Sequence, residues 1–228
     1  MMQKPTSAAL LVGSPKGPNS TSNSLGTFLL EKLQEKGIAT QKTYLCQNLG
    51  SEEKKAKLLK LVDQSDLIIL AFPLYVDCLH TTAIETLELI AEHEKSKRQK
   101  STKSFVAIAN SGFPEAIHNS KALEVCRLFA KQVGFEWAGG LAMGGGGMIS
   151  GQPLTEMGGQ VRNQTKALAI AAEALANGEP IPESAVVSMS KLGFPKLIYT
   201  WMGNRNWKQQ AKKNISIKEM YNQPFKEM

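Results

Sequence analysis

Between Gly13 and Ser24 the chain reads Gly-Ser-Pro-Lys-Gly-Pro-Asn-Ser-Thr-Ser-Asn-Ser, which places five hydroxyl side chains (Ser14, Ser20, Thr21, Ser22 and Ser24) within eleven residues. The segment follows an apolar run, Ala8 to Val12, and precedes Leu25, Phe28, Leu29 and Leu33, which recur at helical spacing. It is therefore a strand-to-helix turn. The start of a helix offers backbone N–H groups without partners and a partial positive charge. Serine and threonine hydroxyls add donors. Such a turn suits a compact phosphomonoester. It is not a P-loop, because no Gly-Lys-[Ser/Thr] occurs, and the G-x-G-x-x-G dinucleotide spacing is absent. The alternative is an ordinary capped helix, but a cap needs one hydroxyl, and Ser20 or Ser22 would suffice.

Two further segments carry groups of the same use. Phe72-Pro73-Leu74-Tyr75-Val76-Asp77 follows the apolar run Asp66 to Phe72. Pro73 stiffens that turn, and Tyr75 brings a flat aromatic surface. Asn110-Ser111-Gly112-Phe113-Pro114 follows the run Ser104 to Asn110. There Gly112 permits close backbone approach, and Asn110 and Ser111 offer hydrogen-bonding groups. Taken singly, each reads equally well as a packed tyrosine or a plain turn.

The elements that must position these segments alternate along the chain. Apolar runs near 8–12, 40–45, 66–72, 104–110 and 135–143 read as strands. Helical patterns fall at 25–33, 51–63, 81–94, 115–133 and 158–176, and 92–103 reads as a solvated helix end and loop. Parallel strands need crossover helices on both faces, so the pattern predicts a three-layer α/β sandwich. In the flavodoxin-like order 2-1-3-4-5, the crevice between strands one and three takes the ligand. The three segments then line one sheet edge, with a phosphate end and a planar aromatic end. Flavin mononucleotide (FMN) fits that shape.

As a set, these segments resemble the NADPH-dependent FMN reductases, flavodoxin-like NAD(P)H oxidoreductases related to quinone reductases and iron–sulfur flavoproteins. The resemblance covers roughly residues 8–145. It implies that Ser14, Lys16, Ser20, Thr21 and Ser22 hold the FMN phosphate, and that Pro73, Leu74, Tyr75, Asn110, Ser111 and Gly112 hold the isoalloxazine. NAD(P)H is the implied co-substrate, and a quinone, flavin, nitro or azo compound the implied acceptor. Hydride transfer to a flavin needs no protein acid or base, so no catalytic side chain is expected. His80 and His118 follow the second and third segments; either could protonate a reduced acceptor, although loop histidines are more often structural. The Gly144–Gly147 run admits a ligand backbone or forms a flexible loop. An open site of this kind leaves room for a second subunit, so a homodimer is expected.

Composition narrows the alternatives. The 228 residues are 42% hydrophobic and 21% charged, a globular balance. Cys46, Cys78 and Cys126 form no C-x-x-C pair, which excludes zinc ribbons and the iron–sulfur cluster. The histidines show no metal spacing, so no metal is expected. No run spans a bilayer or reads as a secretory leader, so a cytoplasmic protein with no membrane partner is expected. Of the net charge of +7, +6 falls after residue 190. Residues 1–178 are expected to form the FMN-binding domain. Residues 179–228 are expected to form a basic extension, packed on the core or on a neighbouring subunit. There Arg205, between Trp201 and Trp207, could meet the 2′-phosphate of NADPH. A nucleic-acid role for this tail is not expected, because the core is near neutral and carries no such motif. A flavodoxin-like electron carrier is the main alternative, but such carriers are shorter and acidic.

Overall fold

The computed structural model describes residues 2–97, 102–193, 195–213, 216 and 219–223. Strands β1 (Ser7–Val12), β2 (Ala39–Tyr44), β3 (Leu67–Pro73), β4 (Ser104–Asn110) and β5 (Glu136–Met143) form one parallel sheet in the order β2-β1-β3-β4-β5. Helices α1 (Thr21–Gln34), α2 (Glu52–Asp63), α3 (Thr81–Ser96), α4 (Ser120–Val133) and α5 (Arg162–Ala176) cross over between strands or close the layer; α6 (Glu183–Ser190) and α7 (Lys196–Ala211) follow. The expected sandwich and strand order are thus observed.

Strand side chains alternate between faces. Leu10, Val12, Ile69, Val106 and Ile108 meet Leu25, Leu29 and Leu33 of α1 and Leu168 and Leu175 of α5. Leu11, Ile68, Leu70, Phe72, Phe105 and Ala107 meet Leu58 and Val62 of α2, Leu87 and Ile90 of α3, and Phe129 of α4. Burial on both faces is why β1, β3 and β4 read as continuous apolar runs.

Two boundaries differ from the sequence reading for identifiable reasons. The helix expected from 115 begins as a 3-10 turn, Ala116–Asn119, behind Pro114. The helix expected from 158 likewise begins with a 3-10 turn, Gly158–Val161, through two glycines. The chain divides into two compact units, Met1–Gly193 and Phe194–Met228. Residues 179–193 therefore belong to the first unit. Ile181 N–H bonds the Ala138 carbonyl at 2.7 Å, and Ala185 and Met189 are buried in the α1/α5 core. In the second unit α7 buries no side chain, and the Arg205 guanidinium lies 5.5 Å from the Trp201 ring centre. Residues 98–101 of the expected loop, and Lys218, Pro224 and Lys226 of the basic tail, lie outside the described residues. Among the described residues no helix is long and apolar enough to cross a membrane.

Register at the amino edge is pinned by Asp66. Its Oδ2 accepts from Thr6 N (2.8 Å), Thr6 Oγ1 (2.7 Å), Ser7 N (3.1 Å) and Ser7 Oγ (3.0 Å). Burial alone would raise the Asp66 pKa, but these bonds outweigh it and hold the carboxyl below its ordinary value. At the carboxyl edge the ladder continues past the strands. Gly13 N–H bonds Ala71 O (2.8 Å), Leu74 N–H bonds Asn110 O (2.7 Å) and Ser111 N–H bonds Met143 O (3.0 Å). Each loop of interest is thus tied to its neighbour at its first residue.

Two outcomes follow. A carboxyl with a lowered folded pKa stabilises the fold above its unfolded value, and that contribution is lost as pH falls. Asp66→Asn should be less stable than wild type in urea at pH 7, and the gap should shrink as pH drops below about 4. Gly26 of α1 packs on Leu10, and an added Cβ would fall 2.5 Å from Leu10 Cδ1. Gly26→Ala should therefore destabilise by about 1 kcal/mol, because overpacking outweighs the helix-propensity gain. An increase in the urea midpoint would contradict this.

Candidate functional site

The turn after β1 is held largely by its own hydroxyls. Ser20 caps α1: its Oγ accepts from Asn23 N (3.1 Å) and donates to Gly17 O (2.6 Å). Ser24 N–H bonds Ser20 O at 3.1 Å. Asn23 and Ser24 are thereby satisfied, and the amides of Thr21 and Ser22 remain at the open end of the helix. Thr21 Oγ1 donates to Gly146 O (2.6 Å), and Ser22 Oγ accepts from Asn110 Nδ2 (2.8 Å). Ser14 Oγ accepts from Lys16 N at 3.3 Å. Ser14, Ser20, Thr21 and Ser22 are all buried, whereas Lys16 is exposed. The hydroxyls brace the turn, and the cation and amides are left to meet an anion.

The segment after β3 is a tight hairpin. Tyr75 N–H bonds Cys78 O (2.9 Å) and Cys78 N–H bonds Tyr75 O (3.0 Å). Between them Val76 (φ 47°) and Asp77 (φ 60°) both occupy the left-handed region. For a β-branched valine this is a strained conformation. Val76 is 99% exposed and Tyr75 41%, so the hairpin presents an aromatic ring beside the first turn. His80 approaches that ring edge-on at 5.5 Å. Its Nδ1 lies 3.3 Å from Thr82 N, at the cap of α3, and 3.0 Å from Thr82 Oγ1. Pro73 and Leu74 are half-buried beneath the hairpin.

After β4, Asn110 and Ser111 are buried and Gly112 is exposed. A Cβ added at Gly112 would meet nothing within 4 Å, so there is room above it. Asn110 Nδ2 donates both to Ser22 Oγ and to Phe72 O (3.0 Å). The Phe113 and His118 rings meet at 4.6 Å between centres, tilted by 40°, at the rim.

All eleven expected site residues therefore lie at the carboxyl ends of β1, β3 and β4 or in the segments that follow them, at one sheet edge. Other residues there were not expected. The glycine run after β5 neither hangs free nor stands open: Gly145 N–H bonds Phe113 O (2.7 Å) and Gly146 N–H bonds Ser111 O (2.8 Å). A Cβ on Gly144 would collide with the Pro114 carbonyl, and one on Gly146 would lie 2.8 Å from Asn110 Oδ1. The run thus lets β5 close against the β4 loop. Cys46 Sγ meets the Ser14 carbonyl at 3.5 Å. Buried Asn119 joins Ser111 Oγ (3.3 Å) to Met143 O (3.2 Å). In sequence Asn119 falls inside the helix expected from 115, and nothing local marks this role. A cavity of about 330 Å³ lined by Glu94, Lys97, Lys131 and Gly134 lies at the opposite edge, where α3 and α4 end, and contains none of these residues. Among the described residues no three His, Cys, Asp or Glu side chains group as metal ligands.

No protein-family model and no curated protein matches the chain. Solved structures do. An NADH:FMN oxidoreductase in its apo form superposes with a TM-score of 0.56 at 17% identity, over 85% of this chain and 98% of that one. The Trp repressor binding protein from Bacillus subtilis gives 0.54 at 15%, over 71% and 96%. An FMN-dependent NADH-azoreductase from Bacillus anthracis str. Ames Ancestor, in complex with FMN, gives 0.53 at 13%, over 75% and 100%. At such identities the likeness concerns the backbone, and with the observed strand order it shows that this chain has the flavodoxin-like fold.

Proposed function

We propose that the chain is an FMN-dependent NAD(P)H oxidoreductase that delivers electrons to a small acceptor, a quinone, flavin, nitro or azo compound. The observation that carries this reading is one sheet edge with two unlike ends. The open N-terminus of α1 with exposed Lys16 suits a phosphate. The exposed Tyr75 ring and the space above Gly112 suit a planar ring system. Two of the fold neighbours are described as FMN-dependent or FMN-linked NADH enzymes, which supports the same reading.

When bound, FMN supplies the two-electron chemistry; the protein supplies position. On this reading Lys16 and the amides of Thr21 and Ser22 hold the phosphate, while Ser14 and Ser20 keep the turn in shape. Tyr75, Leu74 and the Asn110–Gly112 loop hold the ring. Pro73 and the strained Val76–Asp77 turn set the angle of Tyr75. His80 stands beside the Tyr75 ring and, on this reading, gives a proton to a reduced acceptor. The exposed rim of Val76, Phe113 and Ile117 is apolar and suits a second subunit that walls the site, so a homodimer belongs to the reading.

The reading is tested by adding FMN to the protein and recording the visible spectrum anaerobically, before and after NADPH or NADH. Bound flavin that bleaches with either is expected. Bound flavin that stays oxidised with both would indicate an electron carrier, and no bound flavin would remove the proposal. A second outcome isolates the phosphate end. Ser20→Ala removes the α1 cap, and should weaken FMN binding by about tenfold while leaving riboflavin binding nearly unchanged. Equal losses for both ligands would contradict the assigned phosphate end.

A further inference from the structure

Asn119 is fully buried at the start of α4, yet its side chain makes no capping bond. Its Nδ2 lies 3.1 Å from Ala116 O, 3.2 Å from Met143 O and 3.3 Å from Ser111 Oγ. Two of these three are main-chain carbonyls, which can only accept. The amide therefore has one tenable orientation, because turning it over would press Oδ1 against both carbonyls. In that orientation Oδ1 is buried without a hydrogen-bond partner. An orphaned buried acceptor is costly. An asparagine kept there at that cost serves its neighbours rather than itself.

The neighbour with freedom left is Ser111. Its N–H is taken by Met143 O and its carbonyl by Gly146 N–H. Its Oγ faces Nδ2, and an amide nitrogen donates but does not accept. Whichever way the two Nδ2 protons are shared, the Ser111 hydroxyl proton cannot go to Asn119. The Asn110 amide repeats the pattern at Ser22, where Phe72 O fixes its direction. Ser111 directly precedes Gly112, above which there is open space.

We propose that Asn119 is a positioning residue that keeps the Ser111 hydroxyl as a donor to an acceptor atom of the flavin ring. This rests on the FMN reading above. The test is a fluorescence titration of apo protein with FMN and with lumiflavin, which carries the ring without ribityl or phosphate. The variants are Ser111→Ala, Asn119→Ala and the double variant, each first checked by thermal melting of the apo form.

Each single variant should weaken both ligands by about tenfold, the worth of one buried hydrogen bond. If Asn119 acts through Ser111, the double variant should bind within about threefold of either single one rather than about a hundredfold below wild type. Multiplying losses, a loss with FMN but not lumiflavin, or an unchanged Ser111→Ala would each overturn the inference. Ser111→Ala removes a single oxygen, and an unchanged affinity there overturns the inference even if Asn119→Ala does not fold. Wild type that binds FMN while Ser111→Ala matches it refutes only this inference. Wild type that binds neither ligand refutes the FMN reading with it.

Discussion

The site hangs on one buried amide. Asn110 ends β4, and its Nδ2 bonds Ser22 in the first turn of α1 and the Phe72 carbonyl of β3. Its main-chain carbonyl receives Leu74 N–H, and its Oδ1 occupies the space that a side chain at Gly146 would need. Four loops from four strands thus converge on a single residue that is 5% exposed. A leucine of similar size would remove both Nδ2 bonds and release Ser22 of α1 from the sheet end. The rest of the fold, from the Asp66 anchor to the two apolar layers, serves to bring these loops to the same height.

This arrangement changes how the hydroxyl-rich turn is understood. Five hydroxyls suggest five donors for an anion. In the folded chain Ser20 and Thr21 already donate to Gly17 and Gly146, and Ser22 accepts from Asn110. They cost little conformational freedom, being short, and make the turn rigid before any ligand arrives. Preorganised amides bind an anion better than mobile side chains, since the ordering has been done on folding. On the proposed reading, recognition of a phosphate then falls to the helix end and Lys16. The same economy explains Val76: a strained two-residue turn is tolerated where it holds Tyr75 outward.

How far this was legible in the sequence depends on range. β1, β3 and β4 were plain, because burial on both faces leaves unbroken apolar runs such as Leu67–Phe72. The three loops could be placed at one edge because parallel topology allows little else. What the sequence could not reveal are bonds between residues far apart, such as Ser22 to Asn110 and Thr21 to Gly146, 88 and 125 positions distant. Asn119 and the glycine run after β5 acquire meaning only through such contacts. Residues 179–193 show another limit: Pro180 and Pro182 interrupt the strand–helix pattern, yet Pro182 stands at the start of α6 and Ile181 bonds β5.

The central claim is that this sheet edge recognises a phosphate at one end and a flavin ring at the other. Calorimetric titration of the apo protein with FMN and with riboflavin tests it most directly. Two charge-assisted amide bonds predict that FMN binds about a hundredfold more tightly than riboflavin. Equal affinities, or no heat with either, would contradict it.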